Sequence, residues 1–184
     1  GNILEWYDFS IYGFLANEIS INFFPEQNKG IQLIYTFSVF AISYIVRPIG
    51  GILFGYIGDK YGRKISLQIT MLLIFLSTFL CGVLPTYHRV GVISPILLTL
   101  LRLIQGISVG GQLVGSMIFI LESSNKNKQG YYSGIVYATK TFGTMVGAIV
   151  VSTVEVVLTE KSMDEWGWRV PFLFSFVIGI VGFI

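Results

Sequence analysis

Charged side chains are scarce in this chain. They make up 12% of its 184 residues, about half of the roughly 25% that is typical of a soluble domain. Hydrophobic residues account for 53%, and the mean hydropathy is +0.73. Such a composition cannot cover a water-soluble surface, so it predicts a membrane protein. The net charge is only +2 and the basic residues are scattered, which excludes a nucleic-acid partner.

Cysteine and histidine each occur once. Cys81 has no second cysteine with which to form an intramolecular disulfide or a cysteine-based metal site, and its apolar surroundings predict a small buried residue. His88 stands alone in a connection, and no Ser/His/Asp spacing or carboxylate cluster accompanies it. We therefore expect no metal, no cofactor and no enzymatic site. The chain also lacks an initiator methionine and a signal peptide, so we expect it to be an internal piece.

Long apolar runs are abundant. About 20 helical residues, at 1.5 Å each, cross a 30 Å hydrocarbon layer. Six runs separated by turn residues approach or exceed this length, and the last is short and is expected to be cut. They cover residues 3–24, 31–57, 65–84, 94–121, 131–157 and 170–184. The sequence predicts an all-α membrane protein, with one six-helix bundle over residues 1–184 and no soluble domain.

A charged knot interrupts these runs at residues 55–64. Its pattern is G-x-x-x-D-K-x-G-R-K, with four charges in six residues. It predicts a water-facing turn, formed by Gly55, Asp59, Lys60, Gly62, Arg63 and Lys64. Basic residues collect in cytoplasmic loops, so this cluster predicts a cytoplasmic N-terminus, although the loop charges as a whole favour that orientation by only five to four when Lys126 and Lys128 are included.

Several charged residues fall inside the apolar runs, where an ionised group is costly. Glu5 and Asp8 lie at i and i+3 and share one helix face. Arg47, Arg102 and Lys140 lie about 12–16 Å from the ends of their segments. One interpretation is that these groups pair and only hold the bundle together. The other is a polar pathway for protons and solute, which neighbouring polar residues line: Tyr12, Tyr44, Gln105, Gln112 and Tyr137.

Small residues recur at helical spacing in two of the runs. Gly106 and Gly110, like Gly111 and Gly115, are four residues apart, a spacing that lets another helix approach backbone to backbone. The Gly143-x-x-x-Gly147 spacing in the fifth run also suits helix packing.

The knot at residues 55–64 resembles the loop between helices 2 and 3 of the major facilitator superfamily. Residues 1–9 (GNILEWYDF), 47–51 (RPIGG) and 166–172 (WGWRVPF) resemble its metabolite:proton symporter family, and within it the bacterial proline/betaine transporters. The resemblance covers essentially the whole chain but only the first six of the family's twelve helices. It implies a C-terminal six-helix bundle, which is missing here, and location in the bacterial inner membrane.

The same resemblance implies proton-coupled uptake of a small osmolyte by alternating access, without chemistry on the solute. Its expected partners are the solute, protons, the lipid bilayer and the C-terminal bundle. Arg102 then matches an arginine that assists proton transfer, and Asp59 with Arg63 matches an inner-gate latch. Two alternatives remain: a dicarboxylate symporter, or a split or decayed gene product that does not transport.

The chain departs from the family in its carboxylates. Gln112 and Tyr137 occupy positions that are usually acidic, and Lys140 is added one turn after Tyr137. Glu5 and Asp8 remain as candidate proton carriers. The glycines of helix 5 fit the antiporter motif of drug exporters in part, but Ala148 replaces its proline, so symport is expected rather than exchange.

Overall fold

The computed structural model describes residues 2–26, 28–123 and 129–183, and it is helical, without strands, across them. A π-helical turn at Met163–Gly167 precedes the last helix. Ten helices are described: α1 (Asn2–Phe14), α2 (Ala16–Phe23), α3 (Lys29–Ile45), α4 (Arg47–Tyr61), α5 (Arg63–Val83), α6 (Tyr87–Val90), α7 (Ile93–Ser123), α8 (Gln129–Val157), α9 (Glu160–Ser162) and α10 (Arg169–Phe183). The all-α prediction is confirmed. Lys126 and Lys128 lie outside the described residues.

Four stretches are long and apolar enough to cross a membrane among the residues described: Lys29–Tyr61, Arg63–Val83, Ile93–Gln112 and Gln129–Val157. The apolar part of α10 is shorter. The first predicted run is divided at Leu15 into helices of 13 and 8 residues. Backbone hydrogen bonds continue across this point, because Leu15 donates to Ile11 and accepts from Ile19, both at 2.9 Å.

The second predicted run is divided at Val46, which separates α3 from α4. Pro48 follows in the first turn of α4. Proline has no N–H to donate, and its ring crowds the carbonyl four residues earlier, here that of Tyr44. The interruption therefore has a local chemical cause, and it makes Arg47 the first residue of α4.

The charged knot differs from the predicted turn. Helix α4 continues through Asp59 and Lys60 to Tyr61, and α5 begins at Arg63. Only Gly62 is not helical, and its φ of 99° is a conformation that glycine adopts without a steric penalty. The second predicted run ends at residue 57, and α4 continues four residues further because nothing in the local sequence stops the helix before Gly62.

Close backbone approaches hold the helices together. A Cβ atom on Gly106 or Gly110 of α7 would overlap the backbone carbonyls of Ser43 or Arg47, so α7 packs directly against α3 and α4. Such contacts require small residues, and the packing role predicted for this glycine pair is confirmed.

Helix α1 packs along α8 in the same way. Gly143 faces the backbone of Ile3, and Gly147 faces Ser10 and the carbonyl of Tyr7. The Tyr7 hydroxyl also donates to the carbonyl of Pro171, at 2.5 Å, which ties α1 to α10. Most of the largest fully buried side chains come from residues 7–23 and from residues 168–172: Tyr7, Ile11, Tyr12, Leu15, Ile19, Phe23, Trp168 and Phe172. Helix α1 is thus enclosed, which places its two carboxylates inside the bundle.

Candidate functional site

An ion pair between α1 and α7 lies inside the bundle. Arg102 Nη1 donates to Asp8 Oδ2 at 2.7 Å, and the two residues are 2% and 7% exposed. Charge-assisted hydrogen bonds of this kind are among the strongest in proteins. The sequence placed both residues in the polar pathway, and the structure brings them into direct contact.

Amide and hydroxyl groups complete this cluster. Gln105 Nε2 lies 3.0 Å from both Asp8 Oδ1 and Thr78 Oγ1, so both oxygens of the Asp8 carboxylate are engaged. The Arg102 guanidinium carbon lies 3.9 Å from the centroid of the Tyr12 ring. We refer to Asp8, Tyr12, Thr78, Arg102 and Gln105 as the Asp8 cluster. Its charge is compensated, and its geometry is that of a fixed contact between α1, α5 and α7.

Glu5 lies one turn before Asp8 on the same helix and is 3% exposed. Its Oε2 atom is buried and has no hydrogen-bond partner among the residues that the structure describes. Arg47 and Lys140 interact with it electrostatically from α4 and α8, and Asp8 does so from α1. A buried carboxylate oxygen without a donor is costly. Glu5 and Asp8 thus differ in whether a donor faces the carboxylate.

The two cations near Glu5 are seated on aromatic rings. The Arg47 guanidinium carbon lies 3.9 Å from the centroid of the Tyr44 ring, and Lys140 Nζ lies 3.7 Å from that of Trp6. Cation–π contacts at these distances are attractive. They hold the two cations against rings of α1 and α3.

The rings form a continuous row. Phe9 lies 5.3 Å from Trp6, 5.8 Å from Tyr44 and 4.9 Å from Phe40, between ring centroids. Phe40 in turn stacks on Tyr12 at 5.2 Å. Each of the three cations Arg47, Arg102 and Lys140 thus lies against one ring of a connected aromatic network.

Gln112, a predicted pathway residue, lies in a cavity apart from the Asp8 cluster. It lines a cavity of about 570 Å³ together with Asn2, Lys64, Gln68 and Thr139. Its Oε1 atom is buried and has no hydrogen-bond partner within the described part of the chain. The structure therefore groups Gln112 with Lys64, which the sequence assigned to the charged knot, rather than with the Asp8 cluster.

The remaining residues of the knot are near the surface. Arg63 Nη2 and Asp59 Oδ1 are 2.7 Å apart, and the side chain of Asp59 is 68% exposed. Lys60 Nζ lies 3.4 Å from the hydroxyl of Tyr56, and Gly55 has open space where a side chain would project. These residues belong to one end of the bundle and are separate from both buried carboxylates.

The family described as "Sugar (and other) transporter" matches residues 1–184. The chain belongs to this family of the major facilitator superfamily. Its predicted membership of that superfamily is confirmed.

Two relatives of this family member are named as transporters of betaine and proline. The chain is 40% identical over 182 residues to the "Glycine betaine/proline/ectoine/pipecolic acid transporter OusA" of Dickeya dadantii. It is also 40% identical to the "Proline/betaine transporter" of Salmonella typhimurium. Both comparisons cover 99% of this chain but 36% of the relative. The chain thus spans little more than a third of the length of these relatives.

Solved structures agree on the fold. The proton:xylose symporter XylE, bound to 6-bromo-6-deoxy-D-glucose, superposes with a TM-score of 0.86 at 20% identity, over 98% of this chain and 41% of the XylE chain. An inward-open structure of XylE from E. coli superposes with a TM-score of 0.76. The helices of this family member are therefore arranged as in one half of a major facilitator transporter, and it is a multi-pass membrane protein.

The aromatic residues Trp6, Phe9 and Phe40 of this family member were missed at the sequence level. Their signal was present in the spacing: Trp6 and Phe9 lie at i and i+3, as do Tyr44 and Arg47, and such residues are neighbours on a helix. The contacts between helices, such as that of Lys140 with Trp6, depend on how α1 and α8 are aligned, which no local pattern specifies.

Proposed function

We propose that this chain is the N-terminal half of a secondary active transporter that takes up a small zwitterionic osmolyte, such as proline or glycine betaine, together with protons. The observation that carries the proposal is the unpartnered Glu5 carboxylate among Arg47 and Lys140 inside the bundle. The names of the relatives support the choice of solute. Transport then proceeds by alternating access between this bundle and a second six-helix bundle.

Glu5 rather than Asp8 is the proposed proton carrier. Protonating Asp8 would break its charge-assisted contacts with Arg102 and Gln105, which is costly because it leaves a buried arginine unpaired. Protonating Glu5 breaks no hydrogen bond at Oε2. The proton-accepting step is therefore less costly at Glu5.

Proton and solute binding are coupled through the same cations. Arg47 and Lys140 stabilise the ionised Glu5 carboxylate, and an anionic solute group that approaches them shares this positive charge. Binding of the solute then favours binding of the proton, and thermodynamic reciprocity requires the converse. Cooperative binding of this kind is what symport requires.

The test is uptake of labelled proline and glycine betaine by proteoliposomes that contain the full-length protein, with and without an inward proton gradient. We expect Glu5→Gln to abolish accumulation against a concentration gradient while keeping solute exchange at equal concentrations. The matched control is Glu26→Gln, at an exposed glutamate of the connection before α3. Gradient-driven accumulation that persists in Glu5→Gln would refute the role of Glu5, and absence of uptake by the unaltered protein would refute the function.

A dicarboxylate is the second candidate solute. It is favoured by the imbalance of two cations, Arg47 and Lys140, against the single carboxylate of Glu5. The same proteoliposomes distinguish the two classes: 2-oxoglutarate should not compete with labelled glycine betaine if the osmolyte proposal is correct.

The proposed location is the inner membrane, with the N-terminus in the cytoplasm. The basic residues at the α4–α5 junction support this orientation. Cys81 is buried, so single-cysteine variants in a Cys81→Ser background report sidedness. A membrane-impermeant thiol reagent added outside intact cells should label His88→Cys and spare Lys60→Cys. The reverse pattern would invert the assignment.

A further inference from the structure

A cavity of about 570 Å³ lies between α1, α5, α7 and α8. Its polar lining includes the amides of Asn2, Gln68 and Gln112 and the hydroxyl of Thr139, and Lys64 lines it beside the α4–α5 junction. Lys64 and Gln68 are exposed, whereas Gln112 is 3% exposed. The cavity therefore extends from the surface at the charged end of the bundle to a buried side chain.

Three buried oxygen atoms lie at or near this cavity. Gln112 Oε1 and Asn2 Oδ1 belong to lining residues, and Glu5 lies one helical turn beyond Asn2 on α1. Among the described residues, neither these two oxygens nor Glu5 Oε2 has a hydrogen-bond partner. Thr139 of the lining directly precedes Lys140, which interacts electrostatically with Glu5. The cavity thus lies about one helical turn from the Glu5 carboxylate.

Water is the ligand that fits this lining. A buried acceptor without a donor is costly, and ordered water commonly supplies the donor where a site is polar and large enough. One water molecule takes up roughly 30 Å³ in the liquid, so this cavity can hold a cluster of them. Amides and hydroxyls do not ionise near neutral pH, so they can hydrogen-bond a chain of water molecules without retaining a proton that moves along it.

We propose that this cavity is a water-filled route by which the proton on Glu5 reaches the cytoplasm, inside this bundle and apart from the path of the solute. The proton passes from Glu5 Oε2 to a water molecule and along the cluster to the mouth at Lys64. Arg47 and Lys140 stabilise the carboxylate that remains. This inference rests on the proposed function and specifies its proton exit. Because four helices of one bundle form the walls, movement of a second bundle does not remove them.

Cysteine labelling of the full-length protein tests whether the cavity contains water, independently of transport. In a Cys81→Ser background, a membrane-impermeant thiol reagent is added on the side that labels Lys60→Cys. We expect Gln112→Cys to be labelled at a rate that saturating glycine betaine leaves unchanged. The control is Ser175→Cys, at a fully buried polar residue of α10, which should be spared. Asn2→Cys is a second cavity position, in case Gln112→Cys does not fold.

Two results of this labelling would overturn the proposal. Cavity positions that stay unlabelled would show that water does not enter the cavity. Protection of these positions by glycine betaine would show that the cavity belongs to the path of the solute.

Uptake by proteoliposomes that contain the full-length protein tests whether the proton uses this route. Thr139→Val and Gln112→Leu each remove a polar group with little change in volume. We expect each to slow proton-driven uptake of glycine betaine by about tenfold and to leave exchange at equal concentrations unchanged, because exchange does not require the proton to leave. The control is Thr153→Val on the same helix. Both threonine hydroxyls donate within α8, at 2.6 Å for Thr139 and 2.7 Å for Thr153, and of the two Thr139 lines the cavity.

Failure of this inference is distinguishable from failure of the proposed function. If the unaltered protein accumulates glycine betaine and the cavity variants behave like Thr153→Val, the proton exit is refuted and the function stands. Exchange that slows together with uptake in the cavity variants would also refute the exit, since a route used by the proton alone does not affect exchange. An unaltered protein that takes up neither glycine betaine nor proline would overturn the function and the exit with it.

Discussion

Asp8 and Glu5 lie one turn apart on α1, are both almost fully buried, and have opposite surroundings. Asp8 is bonded through both carboxylate oxygens, to Arg102 and Gln105. Glu5 has a buried Oε2 without a donor, and the cations near it, Arg47 and Lys140, are seated on rings. Both side chains are thus buried carboxylates, and the difference lies in whether a neighbouring cation is hydrogen-bonded to the carboxylate.

This difference predicts a role in stability for Asp8 and a role in transport for Glu5. A buried pair that loses one member leaves an uncompensated charge, which is strongly destabilising. Substituting a buried carboxylate that already lacks a donor removes few favourable contacts. Functional positions typically have side chains whose arrangement lowers the stability of the fold in this way. The Asp8 cluster is thus expected to hold the bundle together, while the neighbourhood of Glu5 is expected to bind and release.

The largest effect is expected when the arginine of the Asp8 cluster is removed. Arg102→Met leaves the Asp8 carboxylate buried and unpaired, and should reduce the free energy of unfolding by about 3–5 kcal/mol. Denaturant unfolding in detergent micelles, followed by circular dichroism, measures the change. Arg47→Met is the matched variant beside Glu5. It removes a cation–π contact of about 1 kcal/mol and the attraction to Glu5, and it should cost less than Arg102→Met because Lys140 still acts on Glu5.

The double variant Asp8→Asn/Arg102→Met tests the cause. It removes both charges and should recover a large part of the loss, because no unpaired ion is left in the bundle. If the double variant is no more stable than Arg102→Met alone, the ion pair is not what stabilises this region, and the contrast with Glu5 disappears.

The next effect concerns how α4 is positioned. Gly110 contacts the backbone carbonyl of Arg47, and an added Cβ would overlap it. Gly110→Ala should therefore cost about 1–3 kcal/mol of unfolding free energy and also weaken glycine betaine binding, because it displaces Arg47. The control is Gly134→Ala on α8, where nothing lies within 4 Å of the added carbon. Equal behaviour of the two variants would argue against direct backbone packing.

A smaller change in stability is expected at Glu5 itself. Glu5→Gln removes a buried charge whose Oε2 has no donor, so the free energy of unfolding should change by no more than about 1 kcal/mol, and upward if it changes. Asp8→Asn, measured alongside, should be clearly destabilised, because it breaks the contact with Arg102. A loss of stability in Glu5→Gln as large as that in Asp8→Asn would show that both carboxylates are structural.

The sequence predicted the contents of the site better than its arrangement. The i, i+3 spacing placed Glu5 and Asp8 on one face of a helix, and the buried cations could be assigned to other helices. Arg102 could form an ion pair with either carboxylate. The axial alignment of α1 and α7, which tertiary packing decides, determines which one it contacts. The glycine spacing of α7 predicted the close approach but did not identify Ser43 and Arg47 as its partners.

The charged knot shows the opposite outcome. Its composition identified a water-exposed end of the bundle, and the exposed Asp59 agrees with this. The predicted turn is confined to a single residue, Gly62, and the helices on either side extend beyond their predicted ends at residues 57 and 65. Charge patterns report the environment of a segment, whereas helix propensity and the nearest glycine decide where a helix ends.

The smallest change in stability is expected at the exposed pair of Asp59 and Arg63. For this pair, a transport measurement is more informative than an unfolding measurement. Asp59 and Arg63 form an i, i+4 contact that is open to solvent at Asp59, and such pairs contribute about 0.2–1 kcal/mol. Asp59→Asn should therefore leave the free energy of unfolding of this chain almost unchanged.

If Asp59 also contacts a second bundle as a gate, as we propose, the full-length variant should show altered labelling of Lys64→Cys, which lines the neighbouring cavity. Unchanged labelling together with unchanged uptake would reduce Asp59 to a surface residue.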